Sequence, residues 1–263
     1  MERLIIARGL LAGALGGVLA FLFARIFVEP VIDRAIGYED AAGDAVAHQH
    51  GAHEHGVELF TRAVQGNIGM GLGVLAFGVA MGGLFAVVYC GAYGRVGDVS
   101  PRLLSVLVAG CMFVSLYLIP ALKYPPNPPA TSDDATIFQR SLLYLLLVGL
   151  SAILMVAAVY LGRQLAPKLG AWNATLVGGA AYLVAVFVVM LILPTINETP
   201  GPIVNDAGVI VFPGFPAIDM YEFRLYTFTT QLIIWATIGL VFATLISKVL
   251  DGRRNASEAN VTA

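Results

Sequence analysis

Charge is scarce in this sequence. Only 12% of its 263 residues are Asp, Glu, Lys or Arg, about half the roughly 25% of a soluble domain. Hydrophobic residues make up 58%, and the mean hydropathy is +0.82. A soluble globular fold is excluded by that balance, and an integral membrane protein is left. Cysteine is nearly missing: Cys90 and Cys111 both fall in apolar runs, so no disulfide framework is expected. Histidine is absent from every long apolar run, which argues against a haem ligated inside the membrane. No G-x-S-x-G, no P-loop and no basic patch with interleaved aromatics occurs. The expectation is therefore no enzyme, no organic cofactor and no nucleic-acid partner.

What the chain has instead is long apolar runs. A bilayer crossing needs roughly 20 mostly apolar residues. Six stretches qualify, at about 4–28, 66–93, 103–122, 141–162, 172–194 and 225–249. The first has Arg3 and Arg8 at its start but is too long for a signal-peptide core, so it reads as a span. The fold class expected is all-α: a multi-pass transmembrane bundle of about six helices, one domain over 1–250, followed by a disordered polar tail at 251–263.

Lys and Arg in the connections set the orientation. One side carries 9 basic residues against 4 acids, the other 6 against 13. The basic side should be cytoplasmic, with both termini on it, in a plasma or inner membrane. The opposite side opens with a long acidic loop at about 29–65, which concentrates cations near the surface.

All four histidines lie in that outer loop, at His48, His50, His53 and His55, with Glu54 between the last two. Neutral imidazole suits Zn, Cu, Ni, Fe and Co, and a carboxylate can complete the shell. In an extended chain each H-x-H pair points to one side, and Gly51 and Ala52 let the pairs fold together. In a helix His48 and His55 would share a face. Either arrangement offers two or more nitrogens to a divalent transition metal. Such a loop is a capture site; a rigid catalytic centre needs fixed elements and supporting partners. The spacing does not choose among cobalt, nickel and zinc.

A candidate transport path or gate lies on the later outer segments. Lys123 and Tyr124 open a proline-rich connector containing Asn127, whose prolines enforce a stiff, extended backbone. Asn197 and Glu198 stand just past the fifth span. Arg224 and Gln231 belong to the polar face opening the sixth, and polar groups at membrane depth usually face a bundle interior. Lys123 and Arg224 would repel a bare cation, so they are expected to gate the path or to pair with acids such as Glu198 or Glu222. Small residues repeat at Gly9, Gly13 and Gly17, and again at Gly69, Gly73, Gly78 and Gly82, a pattern that lets helices approach closely. Packing within the chain is the plain reading; docking to another subunit or to a second copy is the sharper one. Three hairpins of one design are also suggested. Outgoing helices end at Glu29-Pro30, Ile119-Pro120 and Leu193-Pro194; returning ones begin near Arg62, Arg140 and Arg224.

Several local patterns occur together. They include Arg8-Gly9-Leu10-Leu11-Ala12-Gly13, Phe23-Ala24-Arg25, Glu29-Pro30, Asp33-Arg34-Ala35 and the His/Glu cluster at 48–55. Gly82-Gly83-Leu84-Phe85-Ala86, Lys123-Tyr124-Pro125, Asn127-Pro128-Pro129, Trp172-Asn173-Ala174, Leu193-Pro194, Asn197-Glu198 and Phe223-Arg224-Leu225 follow. Jointly they resemble the CbtA family of membrane proteins, proposed cobalt transporter subunits. The resemblance implies cobalt as the imported substrate, a link to cobalamin synthesis, and a small partner subunit in the lipid membrane. The alternative is a membrane protein that binds or senses metal without moving it and docks to another protein.

Overall fold

The computed structural model describes residues 2–50, 61–97, 99–129, 131–132 and 135–261, with the backbone path alone at 48–50 and 248–261. Five helices in it are long and apolar enough to cross a membrane. They are α1 (Glu2–His50), α2 (Arg62–Ala92), α3 (Pro101–Lys123), α4 (Ile137–Ile192) and α5 (Ala217–Val261). A small antiparallel hairpin, β1 (Ile203–Val204) and β2 (Ile210–Phe212), sits in the segment before α5.

Helix α4 counts as two crossings. Its 56 residues would extend about 84 Å at 1.5 Å each, far beyond a hydrocarbon core of roughly 30 Å. At Gly170 the backbone turns to φ 78°, ψ 157°, a region that only glycine enters cheaply. The two arms then fold against each other. A Cβ at Gly178 would stand 2.9 Å from the Ala158 carbonyl oxygen. The Ser151 and Tyr182 hydroxyls, one from each arm, meet at 2.7 Å. Among the described residues six apolar arms result, each long enough to cross a membrane.

Two larger clusters make up most of the core among the described residues. The larger joins α1, α2, α3 and α5 around Phe85, Tyr89, Met112, Trp235, Ile238 and Phe242. The smaller joins the α4 arms to the C-terminal half of α3 through Ile119, Tyr124, Leu147, Tyr182 and Val186. The glycine stripes are consumed inside the chain. A Cβ at Gly13 would stand 2.9 Å from Gly82 Cα, and one at Gly78 2.8 Å from Gly17 Cα. Gly16 faces Ile234 and Thr237 of α5. Self-association through Gly9, Gly13, Gly17, Gly78 and Gly82 is thereby corrected, because α1 and α2 already occupy those surfaces. Gly73 faces open space.

A second correction concerns the first outer segment. The loop expected from residue 29 is helical as far as His50. Pro30 removes one ladder hydrogen bond and would ordinarily break a helix interior. Here the turn around it is held from the side by charges on other elements, described below. The backbone of α5 runs on to Val261.

Candidate functional site

The ends of the helices that bear the acidic segments are tied by arginines. On α1, Glu29 is 4% exposed. Its Oε1 accepts from Arg62 Nη2 at 2.6 Å, and the same nitrogen lies 3.0 Å from Asp33 Oδ1. Arg62 opens α2, so this bond closes the first hairpin. One turn further along α1, Arg34 donates from Nε to Asp219 Oδ1 at 2.6 Å and from Nη2 to Glu222. Both acids are on the first turns of α5. The Tyr38 hydroxyl donates to the Pro213 carbonyl, while Ala35 packs with Phe215 and Met220. Thus the extension of α1 that leads to the histidines is braced against α2, α5 and the β-hairpin segment.

The other half of this collar is centred on Glu198, whose side chain is 1% exposed. Its Oε2 accepts from Arg140 Nη1 at 2.7 Å and its Oε1 from Thr136 Oγ1 at 2.9 Å. Arg140 also donates to the Pro125 carbonyl at 2.7 Å. Arg224 donates to Asn127 Oδ1 at 2.9 Å and to the Pro126 carbonyl. Two arginines therefore hold the proline-rich connector. Tyr124 is buried, and its hydroxyl donates to the Pro194 carbonyl at 2.8 Å. Burial pushes this phenol above its ordinary pKa, so the donor stays protonated at any physiological pH. Lys123 donates to Thr195 Oγ1 at 3.0 Å. Asn197 is exposed and accepts from the Thr199 amide.

The expected pairing of Lys123 or Arg224 with Glu198 or Glu222 is therefore corrected. Arg140 and Arg34 hold those two acids, leaving Lys123 a hydroxyl, and Arg224 an amide and a carbonyl. Sequence reasoning passed over Glu29, Arg34, Arg62, Arg140 and Asp219 as ligands of this collar. The usable signal was the recurrence of an arginine at the start of each returning helix. A cleft of about 450 Å³ opens beside the collar, between Thr199, Phe215, Met220, Tyr221, Arg224 and Leu225. Deeper, Gln231 Oε1 and Trp235 Nε1, one turn apart on α5, are buried without a hydrogen-bond partner. Thr229 and Thr230 bond back to their own helix, at Leu225 and Tyr226, so the polar face is less polar than its composition.

Of the five metal-ligand candidates, His48 and His50 have their backbone in the last turn of α1. His53, Glu54 and His55 lie outside the described residues. Among the described residues no three His, Cys, Asp or Glu side chains converge as a metal site.

Helical arms of this length and apolarity, closed at one end by a network of ion pairs, define the class as a polytopic α-helical membrane protein. The family described as "Probable cobalt transporter subunit (CbtA)" matches residues 2–247, nearly the whole chain, and the protein belongs to that family. No curated protein and no solved structure matches it.

Proposed function

We propose that the chain is the integral membrane subunit of a divalent transition-metal importer, with cobalt as substrate and a histidine-rich segment that captures the ion outside the cell. The observation that carries this reading is the unbroken course of α1 from its membrane arm to His48 and His50. A loop hanging freely from the membrane would search a large volume. A helix braced by Arg62, Arg34 and Tyr38 carries its last turn at a fixed distance from the collar. The family membership supports metal transport, and the charge asymmetry supports an outward-facing collar. The ion is concentrated by the acidic surface, leaves the histidines and moves past Lys123, Tyr124, Asn127, Asn197, Glu198 and Arg224, the candidate path or gate. It then descends toward Gln231, whose buried, unpartnered oxygen is an acceptor at membrane depth.

Capture is tested by titrating cobalt(II) into the purified protein in lipid nanodiscs, with nickel(II) and zinc(II) as competitors. Replacing His48, His50, His53 and His55 together by alanine should remove the tightest binding event. Unchanged affinity in that variant would refute the capture role.

A further inference from the structure

The Arg62 guanidinium marks a point at which two carboxylates converge. Arg62 Nη2 lies 2.6 Å from Glu29 Oε1 and 3.0 Å from Asp33 Oδ1. Glu29 and Asp33 are four residues apart on α1 and therefore share a helix face. Yet the pairing is incomplete. Glu29 Oε2 is buried and has no hydrogen-bond partner, although its side chain is 5% exposed. Leaving a buried charged acceptor half-satisfied costs free energy. The surroundings nevertheless make room for it: a Cβ at residue 66 would land on Glu29 Oε1, so Gly66 is a cradle for this carboxylate. Gly66 lies in a π-helical segment, Gln65–Gly69, and such local widenings of a helix recur at functional sites. Arg25, one turn before Glu29 on α1, donates to Asn67 Oδ1 at 2.8 Å.

We propose that Glu29 and Asp33 form a cation-exchange site at the mouth of the first hairpin, where Arg62 is the resident counter-ion and an incoming divalent cation takes its place. The identity of the cation rests on the transport reading above; the site itself rests on the convergence of the two carboxylates. A hard or borderline divalent ion accepts carboxylate oxygens and can take both oxygens of one glutamate. It would thereby satisfy Oε2, which the guanidinium leaves unmet. Arg62 is 32% exposed along its side chain, so it can swing into water when displaced. Asp33, 57% exposed, gives the ion an approach from the solvent side. No bond breaks; one cation replaces another, and the arginine keeps its charge.

The test uses the full chain in nanodiscs with His48, His50, His53 and His55 replaced by alanine, so that the histidine segment contributes nothing. Aqueous cobalt(II) is the probe, read by calorimetry, and the melting temperature of each variant is recorded. The starting protein should retain a weaker binding event. Glu29→Gln should weaken it by about tenfold or more, and Arg62→Gln should strengthen it by a similar factor, the usual size of a neighbouring charge's effect. Gly66→Ala keeps every charge and only displaces the carboxylate; it should weaken binding as Glu29→Gln does. The opposite signs of the Glu29 and Arg62 variants are the diagnostic, because a purely structural ion pair would make both fall together. Parallel loss in the two variants, unchanged affinity in both, or no residual binding before either is made would overturn the proposal. The histidine segment is already absent from this series, so its failure as a capture site would leave these outcomes unaltered.

Discussion

Glu198 and Arg34 show how burial sorts the collar's ion pairs. Glu198 has a side chain 1% exposed and Arg140 one 18% exposed. Removing one partner of such a pair strands a buried charge, at a cost of about 3–5 kcal/mol. Arg34 is 46% exposed and its partners Asp219 and Glu222 are 11% and 30% exposed, so its loss falls between the ~1 kcal/mol of an exposed pair and the cost of a buried one. Thermal unfolding in detergent should therefore show a larger loss for Arg140→Ala than for Arg34→Ala; equal losses would contradict this ranking. Tyr124→Phe deletes only the hydrogen bond to Pro194 and should cost about 1 kcal/mol in the same assay. Of these contacts little was legible beforehand. Arg34 and Asp219 are separated by 185 residues, and Arg140 and Glu198 by 58. Choosing which acid meets which arginine needs the fold. Glu198 and Arg224 were recognisable as polar groups at span ends, but their partners were not.

At the scale of elements, hydropathy made the six arms plain, because a run of apolar residues has one low-energy place to be. The turn inside α4 was visible as a break near Lys168 and Gly170. The extension of α1 was not visible. Pro30, Gly37, Gly43 and a run of acids read as a loop, since local propensity cannot weigh the side contacts to α2 and α5 that hold the helix. The glycines of α1 and α2 were legible as a close-packing pattern, and their partner became known only from the fold. Enlarging one should be costly: Gly13→Leu forces a side chain into Gly78 and Gly82, an overpacking that costs typically 1–3 kcal/mol. The melting temperature should drop, whereas Gly73→Ala, which meets nothing within 4 Å, should leave it close to the wild-type value. Gly170→Ala puts a Cβ at φ 78° and should cost about 1–2 kcal/mol. Unchanged melting for Gly13→Leu or Gly170→Ala would contradict the close approach or the turn.

For the whole molecule, the described residues form six apolar arms, two of them from α4. The α4 hairpin joins the rest through the C-terminal half of α3 and exposes Leu145, Ile153, Val156, Leu183, Phe187 and Leu191. That surface suits lipid tails. The sidedness that the transport reading needs is open to a direct check. With Cys90 and Cys111 replaced by alanine, a cysteine at Asn205 should react with an impermeant maleimide in intact cells, and one at Lys168 should react only after permeabilisation. The reverse pattern would put the histidines on the cytoplasmic side and end the capture mechanism.

The central claim is that metal crosses the membrane by way of this chain and its outer histidines. The most direct measurement is radiocobalt uptake into right-side-out vesicles made from native membranes, so that any partner subunit is present. Vesicles with the wild-type chain, with the four-histidine variant, with Glu198→Gln and with the chain deleted would be compared. The account predicts that the histidine and Glu198 variants fall toward the rate of the deletion, with equal protein in each membrane. Uptake that is the same with and without the chain would contradict it.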